Sequence, residues 1–387
     1  MTTRRTTRSR TTGLAVFVTS LLLIVGAVAY IGYALTSSSS EAVPSDFEGT
    51  GNGVEKVVRV QEGDSMSALG PRLEEDGIIM STAAFETAAM NNPNSGAIQP
   101  GFYRLQEEMS AKSAVEALLS PDNKIDLLDI PGGATLNDVV VVGGDTRLGI
   151  YSQVAEASCG HNGETTCVSK EELENVGANA DPGALGVPEW ALAQVSAHAG
   201  DPKRLEGLIA PGQYVVDPEM SAQDILTDLI TRTANKYNET GIVERSSAIG
   251  LSPYELLTAA SLVEREAPAG EFDKVARVIL NRLAEPMRLE FDSTVNYGLE
   301  DVEIATTDED RARVTPWNTY AMDGLPATPI SSPSETAITS MENPAEGNWL
   351  FFVTISQDGT TVFNDTYEQH LVDVERAQQS GVLDSNR

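Results

Sequence analysis

The sequence predicts an α+β protein with an N-terminal transmembrane helix, a small domain, and a larger domain of helices packed on a mainly antiparallel sheet. Three observations carry that expectation. Residues Gly13 to Leu35 hold no charge and are rich in Leu, Val, Ile, Ala and Gly. Residues 57–105 read in the order strand, helix, helix, strand. Beyond residue 221, helical runs are followed by an alternating strand pair near the C-terminus. A chain of 387 residues can form two modest cores as well as a membrane segment.

At ~1.5 Å rise per residue, 13–35 would extend about 35 Å, enough for a hydrocarbon core of roughly 30 Å. Arg4, Arg5, Arg8 and Arg10 precede it without an acidic residue, so residues 1–12 are expected in the cytoplasm and the rest outside. A cleaved signal peptide competes, with Ala27-Val28-Ala29 as a small-residue site. Its apolar core would be longer than the roughly 7–15 residues usual for such peptides, which favours a retained single-pass anchor in the cell membrane. Residues 36–53, rich in Ser, Gly and acids, read as a tether. The net charge is −31, and setting aside the four arginines leaves about −35 outside. Such acidity argues against a nucleic-acid partner and against docking on anionic lipid.

Val57-Val58-Arg59-Val60 alternates as a strand, and Asp64 or Ser65 would cap a helix over Ala68 to Asp76. A second helix is expected from Ser81 to Met90, a returning strand from Gly101 to Leu105, and a further helix from Ser110 to Leu119. The small domain is set at 54–125 and the larger one at 126–380. Cys159 and Cys167 flank a polar loop, and in an oxidising compartment a local disulfide is their natural state. His161 and Glu164 offer a metal site as the alternative, but no CxxC or HExxH spacing accompanies them. No metal and no cofactor is expected. Another helix is expected from Ser221 to about Lys236.

Ala259-Ala260-Ser261-Leu262-Val263-Glu264-Arg265-Glu266 is the most informative run. It ends a helix whose start is a capping box, Ser252 and Glu255, with Pro253 at the first helical position. A carboxyl group beside Ala, Leu and Val is poorly solvated, so its pKa should rise toward that of a general acid at neutral pH. Residues two apart on a helix point about 160° from each other, so one glutamate at most can face a groove. Periodicity does not choose between Glu264 and Glu266. Further on, Trp349 to Thr354 reads as a buried strand, Asp358-Gly359-Thr360 as a hairpin turn, and Thr361 to Phe363 as the return. A final helix near Thr366 to Gln379 would bury Tyr367, Leu371, Val374 and Ala377 on one face.

Three blocks follow the E-x-E run. They are Val275-Ala276-Arg277-Val278-Ile279-Leu280-Asn281-Arg282-Leu283, then Met287-Arg288-Leu289-Glu290-Phe291-Asp292-Ser293-Thr294-Val295-Asn296-Tyr297-Gly298, then Asn318-Thr319-Tyr320 with Gly324-Leu325-Pro326-Ala327-Thr328-Pro329-Ile330-Ser331-Ser332-Pro333. In this order the four blocks resemble the MltG/YceG-like endolytic murein transglycosylase family. Leu205-Glu206-Gly207 with Pro211 and Tyr214 is similar to its L-E-G-x-x-x-P-x-x-Y block, and Val60 to Ser65 to the V-x-x-G-D-S opening of its LysM-like module.

The resemblance implies a LysM-like domain over 54–125 and a YceG-like catalytic domain over 126–380. It implies an enzyme that cuts MurNAc–GlcNAc bonds of nascent peptidoglycan strands beside cell-wall synthases, leaving 1,6-anhydroMurNAc ends. One carboxyl acts as acid and then as base. The resemblance favours Glu266, with Glu264 as the alternate. Substrate-binding candidates are Arg288, Glu290, Asp292, Thr294, Tyr297, Asn318, Tyr320 and Glu206. The chain departs from the family at Gly212 (usually Asp), Glu290 (usually Gln), Ser293 (usually Pro) and Thr361 (often His). A charge at Glu290 near the acid would raise the pKa of Glu266 further. It also keeps open a hydrolytic muramidase working with two carboxylates. A non-catalytic wall-binding scaffold is the remaining alternative.

Overall fold

The computed structural model describes residues 44–382 apart from 62, 126, 142–143, 160–166, 218–219, 300 and 303–305. The expected anchor at 13–35, the first part of the tether, His161 and Glu164 lie outside the described residues. Among those described, no helix is long and apolar enough to cross a membrane. The chain divides into two compact units between Lys124 and Ile125.

The first unit runs β1 (Glu55–Val60), α1 (Met66–Glu75), α2 (Thr82–Asn91), β2 (Gly101–Gln106) and α3 (Ala111–Leu119). β1 pairs with β2 antiparallel, Val58 opposite Tyr103 and Val60 opposite Gly101. Alternation then sends Val58, Val60, Tyr103 and Leu105 into one core with Leu69, Leu73 and Phe85. Ser65, Ser81 and Ser110 cap the three helices, each accepting from a backbone N–H three residues on.

The second unit is α+β, but the large sheet expected from sequence is absent among the described residues. Short separate sheets replace it at the edge of a helical core. β3 (Leu128–Ile130) pairs antiparallel with Gly212–Tyr214, and β4 (Val139–Val141) lies between Thr146–Arg147 and Asp301–Val302. Helices Ile150–Ser158 and Lys170–Asn179 flank the stretch closed by the Cys159–Cys167 disulfide. Next come α4 (Ala222–Thr240), α5 (Pro253–Glu266), α6 (Phe272–Ala284), the short α7 (Asp292–Tyr297), α8 (Asp308–Ala312) and α9 (Glu335–Glu342).

α5 is the centre of this unit. Tyr254 and every residue from Leu256 to Val263 are buried, the pattern of a helix packed on all sides. Its capping box is formed: the Glu255 amide donates to Ser252 Oγ at 3.3 Å, and the Ser252 amide to the Glu255 carboxylate at 2.7 Å. Small residues along α5 let an extended segment cross it closely. The Ile330 amide donates to Ser261 Oγ at 3.0 Å, while Ser332 exchanges backbone hydrogen bonds with Gly133 and Ala134.

The C-terminal hairpin, β5 (Phe351–Thr354) against β6 (Thr361–Asn364), is half-buried rather than fully buried. The final helix α10 (Tyr367–Ser380) buries the expected face only in part, at Ala377 and partly at Val374. Asp373 and Ala377 are buried, whereas Tyr367 and Leu371 are exposed. The cause is polar pairing: Asn364 donates to Asp373 at 2.9 Å, and His370 stacks on Phe351 at 5.2 Å.

Candidate active site

The two glutamates at the end of α5 part company there, as a two-residue step on a helix dictates. Glu264 turns to α9. Its Oε2 accepts the Ser334 amide at 2.9 Å and the Ser334 hydroxyl at 2.6 Å, and Ser334 itself caps α9. Its other oxygen packs so close to Gly132 that a side chain there would displace the carboxylate. Glu266 turns instead to α7 and accepts the Ser293 amide at 3.3 Å. Burial holds the Glu266 carboxyl above the ordinary carboxylate range, hydrogen bonding from Ser293 opposes that, and the charge of Asp292 adds to it.

Asp292 is tied down. Arg311 grips it with two guanidinium nitrogens at 3.2 and 3.1 Å, and the Tyr320 hydroxyl donates to it at 2.8 Å. The Arg311 guanidinium also lies over the Tyr320 ring, 5.0 Å from its centroid. Thr319 clasps the start of α7: it accepts the Phe291 amide at 3.0 Å and meets Thr294 Oγ1 at 2.9 Å. Asn318, fully buried, donates to the carbonyls of Arg311 at 3.0 Å and Arg313 at 2.5 Å. Arg288 braces the neighbouring turn through the Tyr320 carbonyl at 2.6 Å and Asp323 at 3.2 Å.

Beside α7 lies a cavity of about 260 Å³, walled by the 131–139 loop running into β4, by Arg147 on the strand paired with β4, and by Lys203, Arg265 and α7. Glu206 sits on its inner wall, 1% exposed. Both Glu206 oxygens lie 3.2 Å from the Leu136 amide, and Oε2 accepts the Tyr297 hydroxyl at 2.9 Å. Burial pushes the Glu206 carboxyl up to about 7, against the Leu136 amide, the Tyr297 hydroxyl and the Lys203 charge, which favour the ionised form. Lys203 lies over the Tyr297 ring at 4.8 Å and the Trp317 ring at 5.4 Å.

A family model described as YceG-like matches residues 58–376. The chain belongs to the YceG-like family. The endolytic murein transglycosylase of Bacillus subtilis (strain 168) is 27% identical over 353 residues, 90% of this chain and 89% of that protein. The endolytic murein transglycosylase of Streptococcus pneumoniae serotype 2 (strain D39) is 26% identical over 333 residues, 81% of this chain but 57% of that protein. A crystal structure of a YceG-like protein from Listeria monocytogenes aligns with a TM-score of 0.49 at 24% identity, covering 82% of this chain and 98% of that one.

In this YceG-like chain, Glu266, Asp292 and Tyr320 gather on one side of α7, with Glu206 and Tyr297 on the cavity side. Thr294 and Asn318 are buried, and hydrogen bonds to Thr319 and to the 311–313 carbonyls occupy them. Glu290 is exposed and in the left-handed region at φ 50°, and its charge acts on Arg282. The like charge acting on Glu266 is therefore that of Asp292, two residues further on. Arg311, Lys203 and Arg265 complete the surroundings. Arg311 and Lys203 fall outside the matched blocks, and Arg265 sits between the two glutamates as an ordinary surface charge would.

Proposed function

We propose that this YceG-like protein is an endolytic murein transglycosylase, anchored by 13–35 with its catalytic unit outside the cytoplasm, and that Glu266 carries the chemistry. The supporting observation is the half-buried Glu266 carboxyl at the end of α5, whose pKa desolvation raises and which accepts the Ser293 backbone amide. In the protonated form Glu266 gives its proton to the glycosidic oxygen as the MurNAc C1–O bond breaks. The MurNAc C6 hydroxyl then adds to C1, and its proton returns to the Glu266 carboxylate. A 1,6-anhydro ring forms, no water is consumed, and the acid is regenerated.

A two-carboxylate muramidase would draw its second group from Glu290, which is exposed with its charge acting on Arg282, or from Asp292, whose charge acts on Glu266. Both Asp292 oxygens are already engaged by Arg311 and Tyr320, which favours the single-acid route. The strand–helix–helix–strand order of the first unit is consistent with a LysM-like module delivering the chain to glycan, beside the synthases that make it. Mass spectrometry of digested murein tests the whole scheme. Anhydro ends with wild type and none with Glu266→Gln are expected, and reducing ends would identify a hydrolase instead.

A further inference from the structure

This chain carries 57 acidic residues against 26 basic ones, yet the cavity beside α7 collects Arg147, Lys203 and Arg265. Among the described residues, none of the three has a carboxylate ion-pair partner within 4 Å, although thirteen such pairs are formed elsewhere. Arg265 donates to the Gly133 carbonyl at 3.3 Å and feels Glu266, Glu264 and Glu206 only through space, while Lys203 donates to the Tyr297 carbonyl at 3.5 Å and rests on aromatic faces. Two carboxylates also face the cavity. Asp138 is matched by Lys170 at 2.9 Å, and Glu206 is spent on Leu136 and Tyr297. The wall is thus cationic in a protein whose surface is overwhelmingly anionic.

A second feature points to the same kind of ligand. Asn137 and Asn296 line the cavity from opposite walls, and the Oδ1 atom of each is buried without a hydrogen-bond partner. Buried acceptors left open in this way are costly unless something donates to them. Cations with nearby open acceptors suit a molecule that carries both a carboxylate and amide N–H groups, which is a short acidic peptide.

Resting on the transglycosylase reading above, we propose that this cavity binds the stem peptide of the MurNAc residue being cleaved. The placement fits the covalent chemistry of the strand. The stem hangs from the lactyl group on C3 of the same sugar whose C1 is attacked. Ser293 joins the two places, because its amide holds Glu266 and the residue also lines the cavity. Arg147 and Arg265 receive the peptide carboxylates, and Asn137 and Asn296 receive its amides. Docking the stem orients the sugar ring at the acid.

The test compares two uncrosslinked strand preparations, one with stem peptides and one stripped of them by an amidase, with the full-length protein and new chain ends counted. Wild type should show a kcat/KM about tenfold higher on peptide-bearing strands, the scale of one or two charge-assisted hydrogen bonds. Arg147→Gln should shrink that ratio several-fold, and Arg147→Glu should bring it to unity or below. Arg147 is exposed, so melting temperatures should match wild type. Equal kcat/KM on both strands with wild type, or a ratio unmoved by either variant, overturns the inference and leaves the transglycosylase reading standing. Failure to cut either strand overturns both.

Discussion

The Ser293 amide donates to Glu266 at 3.3 Å, so the carboxyl that ends α5 is held on the first turn of α7. Two influences oppose each other there. The amide favours the carboxylate, burial favours the neutral acid, and burial is the larger. The balance favours the neutral, proton-bearing form of Glu266 relative to an ordinary exposed carboxyl.

Glu266→Gln removes the exchangeable proton and keeps the shape. Turnover should fall about 10²–10⁴-fold, the usual contribution of general acid–base catalysis, with the melting temperature preserved. Glu264→Gln should do the reverse. It leaves turnover within a few-fold of wild type and costs about 1 kcal/mol, because Ser334 loses a charged acceptor. Steady-state rates and melting curves on both variants separate the roles, and swapped phenotypes would exchange the assignment.

The pH dependence of activity should follow Asp292. A like charge raises the pKa of Glu266, so Asp292→Asn should lower it and move the alkaline limb of the pH–rate profile to lower pH. Freeing Arg311 acts in the same direction. Glu290→Gln should leave the limb where it is, since the Glu290 charge acts on Arg282. A limb that follows Glu290 would place the controlling charge there instead.

Glu206 should leave its mark on stability. Its ordinary value of 4.5 rises to about 7 in the folded state. Below pH 4.5 the group is protonated whether folded or not. Between about pH 4.5 and 7 the unfolded chain releases a proton that the folded chain keeps, so stability falls as pH rises through this window and levels off above it. The full effect is about 3 kcal/mol. Glu206→Gln should flatten the decline in melting temperature across that window, and a parallel decline in the two proteins would count against it.

Asn318→Ala should destabilise by about 1–3 kcal/mol, the cost of leaving buried carbonyls without a donor. Chemical denaturation measures it. A loss of activity with unchanged stability would move Asn318 from scaffold to substrate contact.

Much of the local structure was legible in the sequence because it is written locally. Ser252, Pro253 and Glu255 marked the start of α5, and the run of small and apolar residues ending in two glutamates marked its buried course. Serine caps opened the helices of the first unit at the expected places. The buried face of α10 was legible only in part, because hydrophobic periodicity assumes that apolar residues go inside. Here Asp373 goes inside and His370 is half-buried, drawn by Asn364 and Phe351 on the hairpin. Nor could the sequence place Asp292 against Arg311 or Glu206 against Tyr297, since nothing in either residue's neighbourhood specifies a partner 19 or 91 positions away. The blocks singled out the candidate residues as a set. Which of them meet, and which are occupied by hydrogen bonds to the scaffold, came from three-dimensional contacts.

The cleft closes over long stretches of chain: Ser334 meets Glu264 across 70 residues, Tyr297 meets Glu206 across 91, and Arg265 meets Gly133 across 132. Closing such loops costs chain entropy of order (3/2)RT ln n, which contacts within single helices do not repay. The helices therefore form before the cleft does, and a chain emerging from N- to C-terminus holds Glu266 without Ser293, Asp292 and the Arg311 and Tyr320 contacts that fix them until residue 320 has joined the fold. Wall cleavage thus lags behind synthesis of the protein that performs it, a delay set by chain topology.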